Sequence, residues 1–247
     1  MDKENNNKFI SFVLLENNHV DCREIKKQLE TTWGITTTVE AEKDSYIFEW
    51  DGMMASIALI DARIPNHEAE ENAKKNYFWQ EAETQAAKHQ AHFLVFVFGN
   101  KKTAIEAGLL LVKLCDACTK ITACLGIFTS GTVFQPEMYN AIAQTIKEGM
   151  LPIYIWVYFG LYPDEKNRGC GYTFGLKQFG KKEVEIIGSY HSPQEVRDCL
   201  FNVAYYVIEN NITLNNGETI GFNPKEKLRI SLSAGIMHED RTLKIDY

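Results

Sequence analysis

Five short stretches of this 247-residue chain combine residue types at spacings that could do chemistry. Gly175 to Lys182 reads GLKQFGKK, close to the phosphate-loop pattern of Gly, four residues, Gly, Lys and a hydroxyl residue. Lys182 stands where that hydroxyl would hold magnesium, and the EVEII that follows reads as a strand where the chemistry needs a helix N-terminus. A glycine-bearing turn between strands is the expected use, with Lys177, Lys181 and Lys182 free to meet an acidic partner. His89 and His92 lie three apart at a helix-to-strand junction, but a metal needs three or four ligands, and His89 continues the apolar face of its helix. A satisfied core histidine is the expected reading rather than a metal centre. Cys115 and Cys118 form CDAC, with both sulfurs on one side of a helix but in its last turn, where the dipole opposes a thiolate. Core packing is expected there too. Thr129, Ser130, Gly131 and Thr132 are expected to follow a strand and precede a helix, where α/β sheets often bind anions, although such residues are also ordinary turn formers. Asp61, Arg63 and Glu68 could serve acid and base roles, yet an Arg beside two acids reads first as a surface ion pair. No Ser sits in a GxSxG elbow, and no Ser or Cys has a neighbouring His to act as its base. No catalytic residue, metal or cofactor is assigned.

The elements that must position these residues belong to an ordered globular chain, since 45% apolar and 12% aromatic residues can fill a substantial core. Lys and Arg total 26 against 33 Asp and Glu, a net charge of −7, so no nucleic-acid partner is expected. The opening MDKENNN lacks the positive stretch and apolar core of a secretory signal, and no apolar run reaches the roughly 18 residues of a span. The expectation is a cytosolic protein without a membrane partner. Cys22, Cys115, Cys118, Cys124, Cys170 and Cys199 sit mostly in apolar segments, which fits reduced, buried thiols.

Along the chain, residues 8–15 read as a strand, and Asp21 with Glu24 opens a helix that Gly34 ends. YIFEW (46–50) and MMASIALI (53–60), joined by Asp51-Gly52, read as a hairpin with a type I′ turn. A helix is expected from Pro65 to about Lys88 with Ala69, Ala73, Tyr77, Ala82 and Ala86 on one face, then a buried strand at 92–98. Thr103 and Glu106 form a capping box for a buried helix over 103–118. A strand at 121–128, a helix at 136–147, a strand at 153–159 and two strands near 171–174 and 183–187 follow. Ser192, Pro193 and Glu195 start a helix whose core face is Val196, Leu200, Val203 and Val207. Leu228, Ile230 and Leu232 mark a half-buried strand, and Leu243 with Ile245 a final one. The order suggests an α/β (α+β) fold of two ferredoxin-like βαββαβ halves packed as one body. Residues 1–7 would be a disordered tail, 8–100 the first half, 101–120 a connecting helix and 121–247 the second half. One continuous mixed sheet with helices on both faces is the alternative.

Four segments carry a family resemblance: IALIDARIP ending at Pro65, the Trp79 helix leading to HQAHFLV, LPIYIWV from Leu151 to Val157, and YTFGLKQFGKKEVEI from Tyr172 to Ile186. Together they resemble a bacterial family known as domain of unknown function 4261. The resemblance covers most of the chain and implies a cytosolic bacterial protein with no assigned reaction. The expected function is a non-enzymatic protein-interaction module, with the glycine, aromatic and lysine residues of 169–182 as an adaptable surface. Another protein is the expected partner, and a homo-oligomer is compatible with the sequence. The alternative is a small-molecule-binding protein or enzyme with a pocket between the two halves, where His92, Trp156, Thr173, Lys181 and Glu183 would converge.

Overall fold

The computed structural model describes residues 7–99, 103–121, 123–223 and 227–247. It is a mixed α/β structure with two six-stranded sheets, and the chain divides into two compact units, Met1–Ile155 and Trp156–Tyr247. The expected tail falls on residues 1–6, outside the described residues, while Asn7 already opens a strand.

The first unit runs β1 (Asn7–Leu15), α1 (Cys22–Trp33), β2 (Ser45–Trp50), β3 (Met53–Ile60), α2 (Glu68–Ala73), α3 (Ala82–Ala86), β4 (Ala91–Gly99), α4 (Ala104–Cys118), β5 (Cys124–Thr129), β6 (Thr132–Phe134) and α5 (Pro136–Gln144). Its strands lie in the order β2-β3-β4-β1-β5-β6, antiparallel throughout. Asp51 and Gly52 both take positive φ in the β2–β3 turn, as a two-residue I′ hairpin demands. Helix α4 starts at the Thr103–Glu106 capping box and buries Leu110, Leu111, Leu114, Cys115 and Cys118. It packs on β1 and β4, where Phe9, Val13, Phe93, Val95 and Val97 are buried; each such side chain is worth about 1.5–3 kcal/mol.

A single helical turn, α6 (Ile153–Trp156), stands at the division between the units. The second unit continues with β7 (Tyr158–Pro163), β8 (Gly169–Phe174), β9 (Val184–Ser189), α7 (Pro193–Glu209), β10 (Thr219–Ile220), β11 (Leu228–Ala234) and β12 (Arg241–Ile245). The order is β10-β11-β12-β9-β8-β7, with β12 parallel to β9 and the other pairs antiparallel. Helix α7 has the Ser192–Glu195 capping box and buries Val196, Leu200, Val203 and Val207 against the sheet. A Cβ at Gly171 would fall 2.8 Å from both Leu200 and Val196, so that glycine gives the helix room.

Several expectations differ from what folds. The ferredoxin-like plan is not confirmed: it needs β1 and β2 parallel with one strand between, whereas both β3 and β4 separate them and leave them antiparallel. A single continuous sheet is not found either. Residues 124–134 extend the first sheet by pairing β5 with β1, so the division falls at 155/156, and the helix expected to connect two halves packs inside the first unit. The long helix after Pro65 is broken. Asn66 and His67 take positive φ, and the Asn76 side chain accepts from the Phe78 amide while donating to the Val133 carbonyl, pinning a turn between α2 and α3. Residues 153–156 form a helical turn instead of starting a strand, and only from Tyr158 does the chain pair. Thr129 to Thr132 does not lead into a helix: Ser130 and Gly131, both at positive φ, turn a β5–β6 hairpin in which the two threonines pair. Among the described residues no helix is long and apolar enough to cross a membrane.

Candidate interaction surface

Strand β8 ends at Phe174, a 3-10 turn covers Leu176–Phe179, and Gly180 in the left-handed region closes it before β9. The buried Glu183 organises this turn. Its Oε1 accepts from the amides of Gly175 at 2.9 Å and Lys177 at 3.2 Å, and its Oε2 from the Thr173 hydroxyl at 2.7 Å. Thr173 Oγ1 accepts in turn from the Val184 amide at 2.9 Å. Two amides that a phosphate loop would offer to a nucleotide are thus occupied by a carboxylate of the same chain. Gly175 adopts φ +128°, and a Cβ there would lie 2.2 Å from the Trp156 carbonyl oxygen, so only glycine fits where the turn closes on Trp156. The Trp156 ring packs on Phe179 at 4.9 Å between centroids.

Of the five residues expected to converge, Trp156, Thr173 and Glu183 meet at this turn. Lys181 instead donates to Asn211 Oδ1 at 2.7 Å, its pKa lowered by burial. His92 belongs to the first unit, where Nδ1 donates to the Ala62 carbonyl at 2.8 Å and burial lowers the ring pKa. Lys177 pairs with Asp240.

Sequence reasoning missed Glu185. In the strand VEIIGS it reads as an outward residue, yet it has no exposed surface. Its carboxylate accepts from the Ile236 amide at 3.0 and 3.1 Å, the Met237 amide at 2.8 Å and Thr242 Oγ1 at 3.1 Å, and pairs with Lys244 Nζ at 2.6 Å. Burial pushes its pKa up, but Lys244 and the two amides outweigh burial and hold it below the ordinary value. The available signal was its register: parallel pairing sets Glu185 beside Lys244, while the turn after β11 folds back over it.

That turn completes an aromatic face on the side of the sheet away from Gly171 and α7. Tyr158 and Gly160 of β7 pair with Phe174 and Tyr172 of β8, and Tyr172 pairs with Glu185 of β9. The Tyr172 ring lies over Gly160, where a Cβ would come within 2.1 Å of it. Tyr158 meets Tyr172 at 6.0 Å, His238 meets Tyr172 at 5.7 Å, and His238 stacks on Phe174 at 6.3 Å. His238 Nε2 donates to the Thr173 carbonyl at 2.8 Å, which holds the turn on β8. Phe174 is 46% exposed, Met237 45% and Ile236 57%.

A separate open cleft of about 580 Å³ lies at the far end of the β7–β8 hairpin, lined among others by Tyr162, Arg168, Cys170, Tyr190 and His191. Among the described residues the buried Tyr162 hydroxyl has no hydrogen-bond partner, while other polar groups of the cleft are engaged. Arg168 pairs with Asp164 at 2.7 Å, Cys170 Sγ accepts from the Gly188 amide at 3.2 Å, and His191 stacks on Tyr247 at 4.2 Å.

Other chemistry-bearing residues serve the interior. His89 is fully buried, accepting from the Ile64 amide at Nε2 over 2.9 Å and donating from Nδ1 to the Ala86 carbonyl. Burial pushes the Cys115 thiol up to about 12 and Cys118 well above its usual value. Asp116 between them takes the Trp33 indole N–H at 3.0 Å and the Gln144 amide at 3.3 Å. Arg63 does form an ion pair, but with Glu70 rather than with Asp61 or Glu68.

Residues 172–246 match the family model described as Domain of unknown function (DUF4261), the segment holding the Glu183 turn, β9, α7 and β12. No curated protein and no solved structure matches the chain.

Proposed function

We propose that this protein is a non-enzymatic interaction module that docks a protein partner on the aromatic face of its second sheet. The observation that carries this reading is a division of labour within segment 172–183. The Thr173 hydroxyl and the Gly175 and Lys177 amides are consumed by Glu183, and the Val184 amide by Thr173, while Phe174 is left outward. Phe174, with Ile236 and Met237 beside it, presents a rigid apolar ridge fixed from behind by His238 and Glu185. Exposed aromatic and Met side chains held on a stiff scaffold are the groups enriched at the centre of protein interfaces. The partner would offer a complementary apolar strip. A bacterial cytoplasm is the proposed setting, supported by six free cysteines. The small-molecule reading finds less support, because Thr173 and Glu183 satisfy one another and Trp156 packs on Phe179.

The test is affinity capture from native lysate with the full chain and with Phe174→Asp. A stoichiometric protein recovered by the wild type and lost by the variant, with the melting temperature held, supports the reading. Recovery of no stoichiometric protein, or equal recovery by both, overturns it.

A further inference from the structure

The first sheet has its own uncovered surface, independent of the aromatic face above. Side chains alternate across β1–β4, and Phe9, Val13, Phe48, Ala55, Ile57, Phe93, Val95 and Val97 fill the α4 side. On the other side, α2 and α3 cover only the β5–β6 end, in a cluster with Leu14, Phe128 and Val133. Beyond that cluster Ile10, Ile47 and Met54 are 47%, 55% and 44% exposed.

The register sorts this surface into rows. Lys8, Phe98, Met54 and Glu49 form one, and Ile10, Phe96, Ser56 and Ile47 the next. In the third, Leu94 of β4 stands beside Ala58 of β3. Every row pairs a bulky residue on β4 with a partner on β3, and the outermost charges of the first row are opposite in sign. Among the described residues neither Lys8 nor Glu49 is ion-paired.

We propose that this surface joins two copies of the chain about a two-fold axis parallel to the strands and lying between β3 and β4. A half-turn about that axis exchanges β1 with β2 and β3 with β4 while keeping each row in place. Lys8 of one copy then meets Glu49 of the other, and this pair forms twice. Ile10 faces Ile47. Phe98 meets Met54, Phe96 enters the space above Ser56 and Leu94 that above Ala58, so the surface is complementary to itself in charge in its first row and in size in the other two. With strands ~4.8 Å apart and same-face residues ~7 Å apart, four strands by three rows cover roughly 400 Å² per copy. The total of roughly 800 Å² falls short of the ~1,000 Å² of a stable specific interface, so the dimer is weak and reversible.

Sedimentation of the full chain from about 5 to about 500 µM reads the equilibrium. The mass is expected to rise from monomer to dimer, and Ile47→Glu, at an exposed site, to weaken association at least about tenfold with its melting temperature unchanged. Lys8→Glu and Glu49→Lys are each expected to weaken it about three- to tenfold, and the double variant K8E/E49K to restore it, because the swap recreates both pairs. A monomer throughout the range overturns the proposal. So does a dimer that Ile47→Glu leaves intact, or one that the double swap fails to rescue.

Discussion

Glu185 sits without exposed surface in the middle of a sheet, and its environment keeps it charged. Its depressed pKa has a definite sign for stability. The contribution is fully present above the unfolded value near 4.5 and is lost as pH falls through that value toward the lower folded one. Urea unfolding midpoints are therefore expected to drop between about pH 5 and pH 3, and Glu185→Gln to flatten that acid slope. Removing the cation leaves a buried charge uncompensated, so Lys244→Met should cost about 3 kcal/mol at neutral pH, read from the same titrations. Gly175→Ala meets the Trp156 carbonyl and a forbidden φ together, and backbone strain alone predicts a loss of about 1–3 kcal/mol. At this scale the sequence was legible where a side chain continues an apolar face, as at His89, and illegible where the role is set by a distant turn. Nothing near Glu183 or Glu185 in sequence announces that one ties down a turn and the other receives two amides from residues 236 and 237.

Local signals read well wherever backbone chemistry is short-range. Asp21, Thr103 and Ser192 cap the helices they were expected to cap, because a side-chain oxygen reaching an amide two or three residues ahead needs nothing from the rest of the molecule. Ser192→Ala is accordingly expected to cost about 1 kcal/mol and to lower the melting temperature by about 2–4 °C, measured by thermal circular dichroism. The misread elements share a cause. Residues 153–159 are apolar throughout, and a short apolar run has no period to separate a strand from a helical turn. The helix expected after Pro65 shows a regular alanine face, yet Asn66, His67 and Asn76 divert the backbone between its turns. Ser130-Gly131 was a hairpin signal hidden in a stretch read as a strand-to-helix loop.

Across the whole molecule, element order did not disclose pairing. Strand β4 (Ala91–Gly99) is inserted between β1 and β3, and residues 124–134 join the first sheet, because pairing depends on which apolar faces meet and not on the order of synthesis. The second unit holds a complete sheet and its own helix, so residues 156–247 expressed alone are expected to unfold cooperatively. The span matched by the family model, 172–246, lacks β7, one of the two partners of β8, and the first half of β8 itself. That shorter piece is expected to show no cooperative transition by thermal circular dichroism. The distribution of sulfur offers a way to watch each unit open. Cys22, Cys115 and Cys118 are sealed in the first unit and Cys170 and Cys199 in the second, none of them cross-linked. A thiol reagent can reach them only when the surrounding structure gives way, so the order in which these sulfurs are alkylated in mild denaturant, followed by mass spectrometry, records which unit yields first and by how much.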